Sequence, residues 1–158
     1  MKKLLLSLSV ASLSILSMIN PSMASDALSG TSWKLISWGN EKSTQTPLDE
    51  TEITLQFENN QISGSSSCNR YFASYTIEDE QLKFGVAGRT QMACPEEIMK
   101  QEDQFLSALE KTRTFEINAE GKLQINYKTN QGSGVMIFTP NQPKYPVVSP
   151  SGLKYRES

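Results

Sequence analysis

Apolar residues recur at every second position along most of this sequence, which is the period of a half-buried β-strand. The clearest run is Ile53, Leu55 and Phe57, which alternates with Thr54 and Gln56. Each such run ends in a short polar stretch of the kind that forms tight turns, and these stretches occupy residues 58–61, 78–81, 118–121 and 132–134. The pattern predicts a mainly β domain whose antiparallel sheet is a meander of about seven strands.

Residues 95–111 depart from this alternation and predict a single α-helix packed on the sheet. The segment has no glycine, and Pro95 is its one proline, at a position that a helix tolerates. Glu96 and Glu97 lie where the helix dipole favours negative charge, and Lys111 closes the last turn. The apolar residues form one stripe that we expect to face the sheet, namely Ile98, Met99, Phe105, Leu106 and Leu109.

Glu102 lies in the middle of that apolar stripe. A carboxylate there must be paired or hydrogen-bonded, because leaving it bare would cost several kcal/mol. Arg70, Arg89 and the backbone donors of residues 65–69 are the available partners. We interpret Glu102 as a structural anchor. The functional alternative is a general acid with a raised pKa, for which no second catalytic group stands out.

The first 24 residues have the order of properties of a secretory signal peptide. Two lysines precede an apolar run over residues 4–19, and small residues occupy the positions that a signal peptidase reads. We expect cleavage between Ala24 and Ser25 and a periplasmic or secreted protein. A stable membrane anchor is disfavoured, because the run is shorter than the roughly 20 residues that span a bilayer. No cysteine near the cleavage site could accept a lipid.

The remaining chain is long enough for one domain, because removal of residues 1–24 leaves 134 of the 158 residues. Residues 140–158 contain four of the seven prolines, which forbid a central strand or a helix there. The predicted organisation is therefore a signal peptide over residues 1–24, a domain over 25–139 and a Pro-rich tail over 140–158.

The balance of charge excludes nucleic acid as a partner. Residues 25–158 carry 13 Lys and Arg against 17 Asp and Glu, a net charge of −4. The acidic clusters at residues 49–52 and 78–80 are also the opposite of the contiguous basic patch that binding to nucleic acid requires. We expect a monomer whose partner is an unidentified envelope protein.

Cys68 and Cys94 are the two cysteines of the chain. An even count in an exported protein predicts one disulfide, because the compartment beyond the inner membrane is oxidising. A reactive or redox pair is the alternative, but the spacing is far from Cys-x-x-Cys.

An enzymatic function is disfavoured because the chain contains no histidine. This removes the serine–histidine and cysteine–histidine nucleophile systems and the usual zinc sites. Paired carboxylates could still hydrolyse glycosides, but the acidic clusters fall in predicted turns. We expect no catalytic activity, no cofactor and no metal.

Two motifs resemble the paired signatures of the META domain, also called the HslJ-like domain. The first is Gly64-Ser65-Ser66-Ser67-Cys68-Asn69-Arg70-Tyr71, followed by Tyr75. The second is Thr90-Gln91-Met92-Ala93-Cys94, followed by Glu102 and by Phe105-Leu106 and Leu109. The opening Gly30-Thr31-Ser32-Trp33-Lys34-Leu35 is similar to the first strand of that family.

The resemblance implies a curled, barrel-like antiparallel sheet with one helix, in a single domain of bacterial envelope proteins. Its best-known members are associated with heat shock, with tolerance of antibiotics such as novobiocin and, in some parasites, with virulence or motility. No biochemical activity is established for the family. Many relatives are lipoproteins, and this chain departs from them in having no lipid-accepting cysteine.

The motif residues that we single out as structural are Gly64, Asn69, Arg70, Tyr71, Thr90, Met92 and Glu102. The small residues 64–67 let a strand bend or another backbone approach closely, and Asn69 can hydrogen-bond a local turn. Arg70, Tyr71 and Arg89 either form an exposed binding surface or pack around Glu102, and we favour the packing.

Two function hypotheses follow. A non-enzymatic protein of envelope stress tolerance that binds other proteins predicts an exposed apolar patch, with Trp38 or Tyr71 as candidates. A small-ligand carrier, or an inhibitor of an extracellular enzyme, predicts a roomy cavity or a projecting loop. Large residues at inward positions favour a filled interior and the first hypothesis, namely Trp33, Leu55, Phe57 and Phe84.

Overall fold

The computed structural model describes residues 27–40, 42–130 and 132–141. The predicted signal peptide and most of the predicted tail lie outside these residues. The strands are β1 (Ser32–Asn40), β2 (Ser43–Gln45), β3 (Thr54–Glu58), β4 (Gln61–Ser65), β5 (Arg70–Glu78), β6 (Gln81–Phe84), β7 (Gly88–Arg89), β8 (Thr112–Ile117), β9 (Leu123–Thr129) and β10 (Gly132–Pro140). The helix α1 (Glu96–Glu110) lies between β7 and β8.

Eight antiparallel strands form a closed barrel. Neighbouring strands follow the order β1-β3-β4-β5-β6-β8-β9-β10, and pairing of β10 with β1 closes the ring. The two short strands are additions, since β2 pairs with the end of β1 and β7 pairs with the start of β5. The predicted mainly β, barrel-like fold with one helix is confirmed, and the strand number is close to the predicted seven.

Large side chains fill the inside of the barrel, because alternate residues of each strand point inward. In β5, for example, Tyr71, Ala73 and Tyr75 are buried, whereas the residues between them are exposed. The rings of Tyr75 and Phe57 are roughly perpendicular, with a centroid distance of 5.0 Å. The four inward residues that the sequence singled out are all buried, namely Trp33, Leu55, Phe57 and Phe84.

Trp38 and Tyr71 were the wrong candidates for an exposed patch. The register of β1 against β10 shifts between Leu35 and Ser37, which is a β-bulge. The extra residue moves Trp38 to the inner side of the sheet, where its exposed fraction is 4%. Tyr71 is buried because it follows the regular alternation of β5.

The antiparallel order gives the barrel two different ends. At one end, which we call the turn end, residues 59–60, 79–80 and 118–122 make short connections between neighbouring strands. At the other, which we call the helix end, residues 66–69 join β4 to β5 and α1 connects β7 to β8.

The helix begins after Pro95 and ends before Lys111, within one residue of the predicted bounds at each end. Its buried face joins the barrel core and comprises Gln101, Glu102, Phe105, Leu106, Ala108 and Leu109. Met99 was wrongly assigned to the buried stripe, because 39% of its surface is exposed. Among the described residues, none of the helices has the length and apolar character needed to cross a membrane.

Candidate functional site

The helix end brings together the two sequence motifs and the buried carboxylate. The link between β4 and β5 supplies Ser66 and Asn69, and the segment that follows β7 supplies Thr90 and Met92. The helix supplies Glu102, which has 1% of its surface exposed. Ser66 and Asn69, which precede Glu102 by 36 and 33 positions, therefore meet it at one buried group.

Four donors surround the carboxylate of Glu102, two at each oxygen. Oε2 accepts from the Ser66 hydroxyl at 2.6 Å and from the Asn69 backbone N–H at 2.8 Å. Oε1 accepts from the Asn69 side-chain amide at 2.9 Å and from Arg89 Nη1 at 3.0 Å. We call this group of residues, Glu102, Ser66, Asn69 and Arg89, the Glu102 clasp. It satisfies a charge whose bare burial would be costly.

The Glu102 clasp keeps its carboxylate ionised. Burial alone would raise the pKa of Glu102, since a desolvated carboxyl group prefers its neutral form. The hydrogen bonds from Ser66 and Asn69 and the positive charge of Arg89 outweigh burial, so the pKa of Glu102 lies below its ordinary value of 4.5. A general acid at neutral pH needs the opposite shift. The electrostatics therefore favour an anchor.

Asn69 connects the Glu102 clasp to the second motif. While its amide nitrogen donates to Glu102, its Oδ1 accepts from the Thr90 hydroxyl at 2.9 Å and from the Met92 backbone N–H at 2.7 Å. Only a side chain with both a donor and an acceptor can make these contacts together. The Met92 side chain itself is 57% exposed, so Met92 takes part through its backbone N–H.

The predicted disulfide between Cys68 and Cys94 is present, with the two Cα atoms 6.0 Å apart. It ties the β4–β5 link to the residues that precede α1. Ser67, next to Cys68, has a φ of +100°, which is unfavourable for a residue with a side chain. The crosslink and the Glu102 clasp therefore hold a strained segment in place from both sides.

The other motif residues have separate roles. The Tyr71 hydroxyl donates to the Thr54 carbonyl at 2.9 Å, and its ring packs against Phe105 at a centroid distance of 5.5 Å. A Cβ on Gly64 would collide with the same Thr54 carbonyl, so glycine permits the close approach of β3 and β4. The Arg70 side chain is exposed, and Arg89 is the arginine that binds Glu102.

Gln101 is a buried polar residue of this end that the sequence analysis missed. Its amide nitrogen donates to Ser67 Oγ at 2.7 Å and to Thr51 Oγ1 at 2.9 Å, while its oxygen accepts from the Leu48 backbone N–H at 2.8 Å. The helix thereby holds the loop between β2 and β3. The signal was available, because position 101 lies three residues after Ile98 and four before Phe105, on the buried face.

The family model of the META domain matches residues 26–142. The chain belongs to the META domain family. The resemblance carried by the two motifs is thus confirmed, and in this META domain those motifs meet at the Glu102 clasp. No curated protein shows significant sequence similarity to the chain.

Solved structures share the fold of this META domain. An NMR structure of a protein from Burkholderia xenovorans is 28% identical, with a TM-score of 0.60, over 90% of this chain and 100% of that one. A second NMR structure is 19% identical, with a TM-score of 0.51, over 75% of this chain and 94% of the other, and supports the fold alone.

The chemistry available at the Glu102 clasp is that of a fixed anion. Each of its carboxylate oxygens is occupied by two donors, and Arg89 also binds Asp103 at 2.6 Å. Among the described residues, no group of three or more His, Cys, Asp or Glu side chains is placed to hold a metal ion. This geometry fixes the position of the helix relative to the β4–β5 link. Because the carboxylate is already fully hydrogen-bonded, a binding function would use other surfaces.

Proposed function

We propose that this chain is an exported, non-enzymatic META domain protein that contributes to tolerance of envelope stress, from heat or antibiotics, by binding other envelope proteins. The observation that carries the proposal is an exposed apolar pair on the outer face of the filled barrel, Phe72 and Val86. Their exposed fractions are 62% and 86%.

These two side chains belong to one surface, which we call the outer apolar patch. Phe72 on β5 pairs with Gly88 on β7, and its ring covers that glycine. Val86 lies in the link between β6 and β7, two positions before Gly88, and we group it with Phe72 on this basis. An apolar surface of this kind favours contact with the exposed apolar segments of partly unfolded proteins.

The filled interior supports protein binding over the alternative of a small-ligand carrier. Six of the largest fully buried side chains of the described core are Tyr71, Phe57, Phe105, Phe138, Leu28 and Leu35. Side chains of this size occupy the space that a ligand would need inside a barrel of eight strands. No observation on this structure specifically favours an inhibitor of an extracellular enzyme.

Two further observations support an exported and non-catalytic protein. The disulfide fits an oxidising compartment outside the cytoplasm. The chain has no histidine, and both of its cysteines are consumed by the crosslink, so it offers neither imidazole nor thiolate. The buried carboxylate of Glu102 is held as an anion by its hydrogen bonds.

The test uses a strain of the source cells that lacks the gene, complemented with the wild-type protein or with Phe72→Ser/Val86→Ser. We expect the wild type to restore survival after heat or antibiotic exposure and the double variant to fail. Purified wild-type protein should also reduce light scattering when an extract of envelope proteins is heated. The matched control is Ile117→Ser, which removes another exposed apolar side chain from β8.

Normal survival of the deletion strain under both stresses would refute the stress function. Equal activity of the wild type and the patch variant in both assays would refute the role of the outer apolar patch. Circular dichroism and urea unfolding of each variant establish that a loss of activity is not a loss of fold.

A further inference from the structure

A second surface lies at the helix end, outside the barrel core. An open cleft of about 1280 Å³ separates the outer side of α1 from the β1–β2 and β9–β10 hairpins. We call it the basic cleft, because Lys100, Lys111, Arg113 and Lys128 line it. The outer apolar patch contributes none of its lining.

The charge of the basic cleft is opposite to that of the chain. Four cations line it against two carboxylates, Glu96 and Asp103, whereas the whole chain has a net charge of −2. Asp103 is already bound by Arg89, which is not part of the lining. Within the described part of the chain, none of the four cations forms a salt bridge. Lys34, Lys83 and Lys122, which lie outside the cleft, each form one. The cleft thus concentrates positive charge that neighbouring carboxylates do not neutralise.

The lining also offers apolar contact and a strand edge. Tyr127 lies among the cations, together with Met99, which is 39% exposed. The short strand β2 ends the strand order, with β1 as its strand partner among the described residues, and its Ser43 and Gln45 line the cleft. A strand with one unpaired edge can accept the backbone of an extended peptide.

We propose that the basic cleft binds an extended, acidic polypeptide segment of another protein, which pairs with the free edge of β2 and places its carboxylates beside the cleft lysines. This inference rests on the proposed protein-binding function and adds a second surface with a different chemistry. The cleft exceeds the volume range of roughly 300–1,000 Å³ that is usual for small ligands, and a strand edge recognises a polypeptide backbone. Both points favour a peptide over a small anion.

The test measures fluorescence anisotropy of a labelled peptide of alternating glutamate and threonine, roughly ten residues and about 33 Å long when extended. We expect saturable binding to the purified, oxidised protein that weakens as ionic strength rises, because exposed charges are screened by salt. Lys100→Gln/Lys111→Gln should weaken binding about fivefold, since each exposed ion pair contributes a few-fold. The matched control, Lys83→Gln/Lys122→Gln, removes the same charge from residues outside the cleft and should bind like the wild type.

Three further probes separate the proposed occupant from its competitors. A peptide with every backbone nitrogen methylated should lose binding, because neither of its edges can then donate a hydrogen bond to β2; equal binding would overturn the strand pairing. Dextran sulfate that binds as tightly as the peptide, with the same loss in the cleft variant, would overturn the choice of a polypeptide. Association of the protein with itself through the cleft, detected by sedimentation and abolished in the cleft variant, would replace the acidic partner with a second copy.

Absence of peptide binding, or an equal loss in both double variants, would overturn the proposal altogether. The result is independent of the outer apolar patch, because Phe72→Ser/Val86→Ser should bind the peptide normally. Failure of the stress function would instead appear in the survival and light-scattering assays, which use no acidic peptide.

Discussion

The two ends of the barrel are built in different ways. At the turn end, residues close in sequence satisfy one another, as where Asn118 Oδ1 accepts from the backbone of Glu120 and of Lys122. At the helix end, the hydrogen bonds to Glu102 and Gln101 from the rest of the domain join residues that are mostly more than 30 positions apart.

The backbone conformations follow the same division. Left-handed residues at the turn end are of types that tolerate this conformation, namely Asn59, Asn60, Asp79 and Gly121. At the helix end, Ser67 and Glu50 are left-handed although neither residue type has such a preference. Ser67 is held by the disulfide and by the helix, and the loop that contains Glu50 is held by Gln101. Local sequence therefore stabilises the turn end, and tertiary contacts stabilise the helix end.

The largest effect that tests this difference is expected from Glu102→Ala. It removes the acceptor for Ser66, Asn69 and Arg89 and leaves buried donors unpaired, so we expect the free energy of unfolding to fall by about 4 kcal/mol. Urea unfolding followed by the fluorescence of the two buried tryptophans measures the change. Asp103→Ala is the control, because its carboxylate is exposed and also contacts Arg89, and it should cost under about 1 kcal/mol. Equal losses in the two variants would show that the helix end does not depend on its buried carboxylate.

Loss of the disulfide should have the next largest effect. The crosslink spans 26 positions, and the chain-entropy relation gives a stabilisation of about 3.5 kcal/mol for a loop of this size. Cys68→Ser/Cys94→Ser should lower the free energy of unfolding by about that amount. Hydrogen exchange of this variant under native conditions should increase most in residues 66–69 and 90–95. Uniform acceleration over both ends would show that the helix end has no separate dependence on the crosslink.

Acid should destabilise the protein through Glu102. Because its pKa is lower in the folded state than the ordinary value of 4.5, the unfolded chain binds a proton first as the pH falls. The stability from the Glu102 clasp is therefore complete above about pH 5 and is lost progressively below the ordinary pKa, toward the folded one. Urea unfolding across this range should show a steeper decline for the wild type than for Glu102→Gln. Parallel declines would mean that other carboxylates cause the acid sensitivity.

The smallest effect is expected at the turn end. Gly121 has a φ of +71°, and no atom lies within 4 Å of an added Cβ, so Gly121→Ala introduces backbone strain without a collision. We expect a loss of about 1 kcal/mol. Combined with Glu102→Ala, the two losses should add to within about 0.5 kcal/mol, because the sites share no contact. A larger coupling in urea unfolding would show that the two ends are not independent.

Much of the fold could be predicted from the sequence because its signals act over short distances. Alternation over a few residues sets which face of a strand is buried, and the Pro95 and Lys111 boundaries place the helix within one residue. Glu102 was identifiable as a buried carboxylate because it interrupts an apolar stripe. Gln101 lies on the same buried face, although an uncharged amide is a weaker sequence signal than a carboxylate.

Other features could not be predicted because they depend on how distant segments meet. The bulge in β1 reverses the alternation after Leu35 and buries Trp38, and it becomes visible only in the pairing of β1 with β10. The choice of Arg89 over Arg70 as the partner of Glu102 depends on the face of the barrel to which each side chain points.

The sequence by itself therefore determined the β class, the helix and the pairing of two cysteines, since period, helix boundaries and cysteine count need no knowledge of distant contacts. The tertiary structure decided which donors meet Glu102, which aromatic residues face the core, and that four cations of an acidic chain gather around one cleft. The physical reason is that a buried charge and a surface charge are both defined by neighbours in space, and closure of the barrel is what brings those neighbours together.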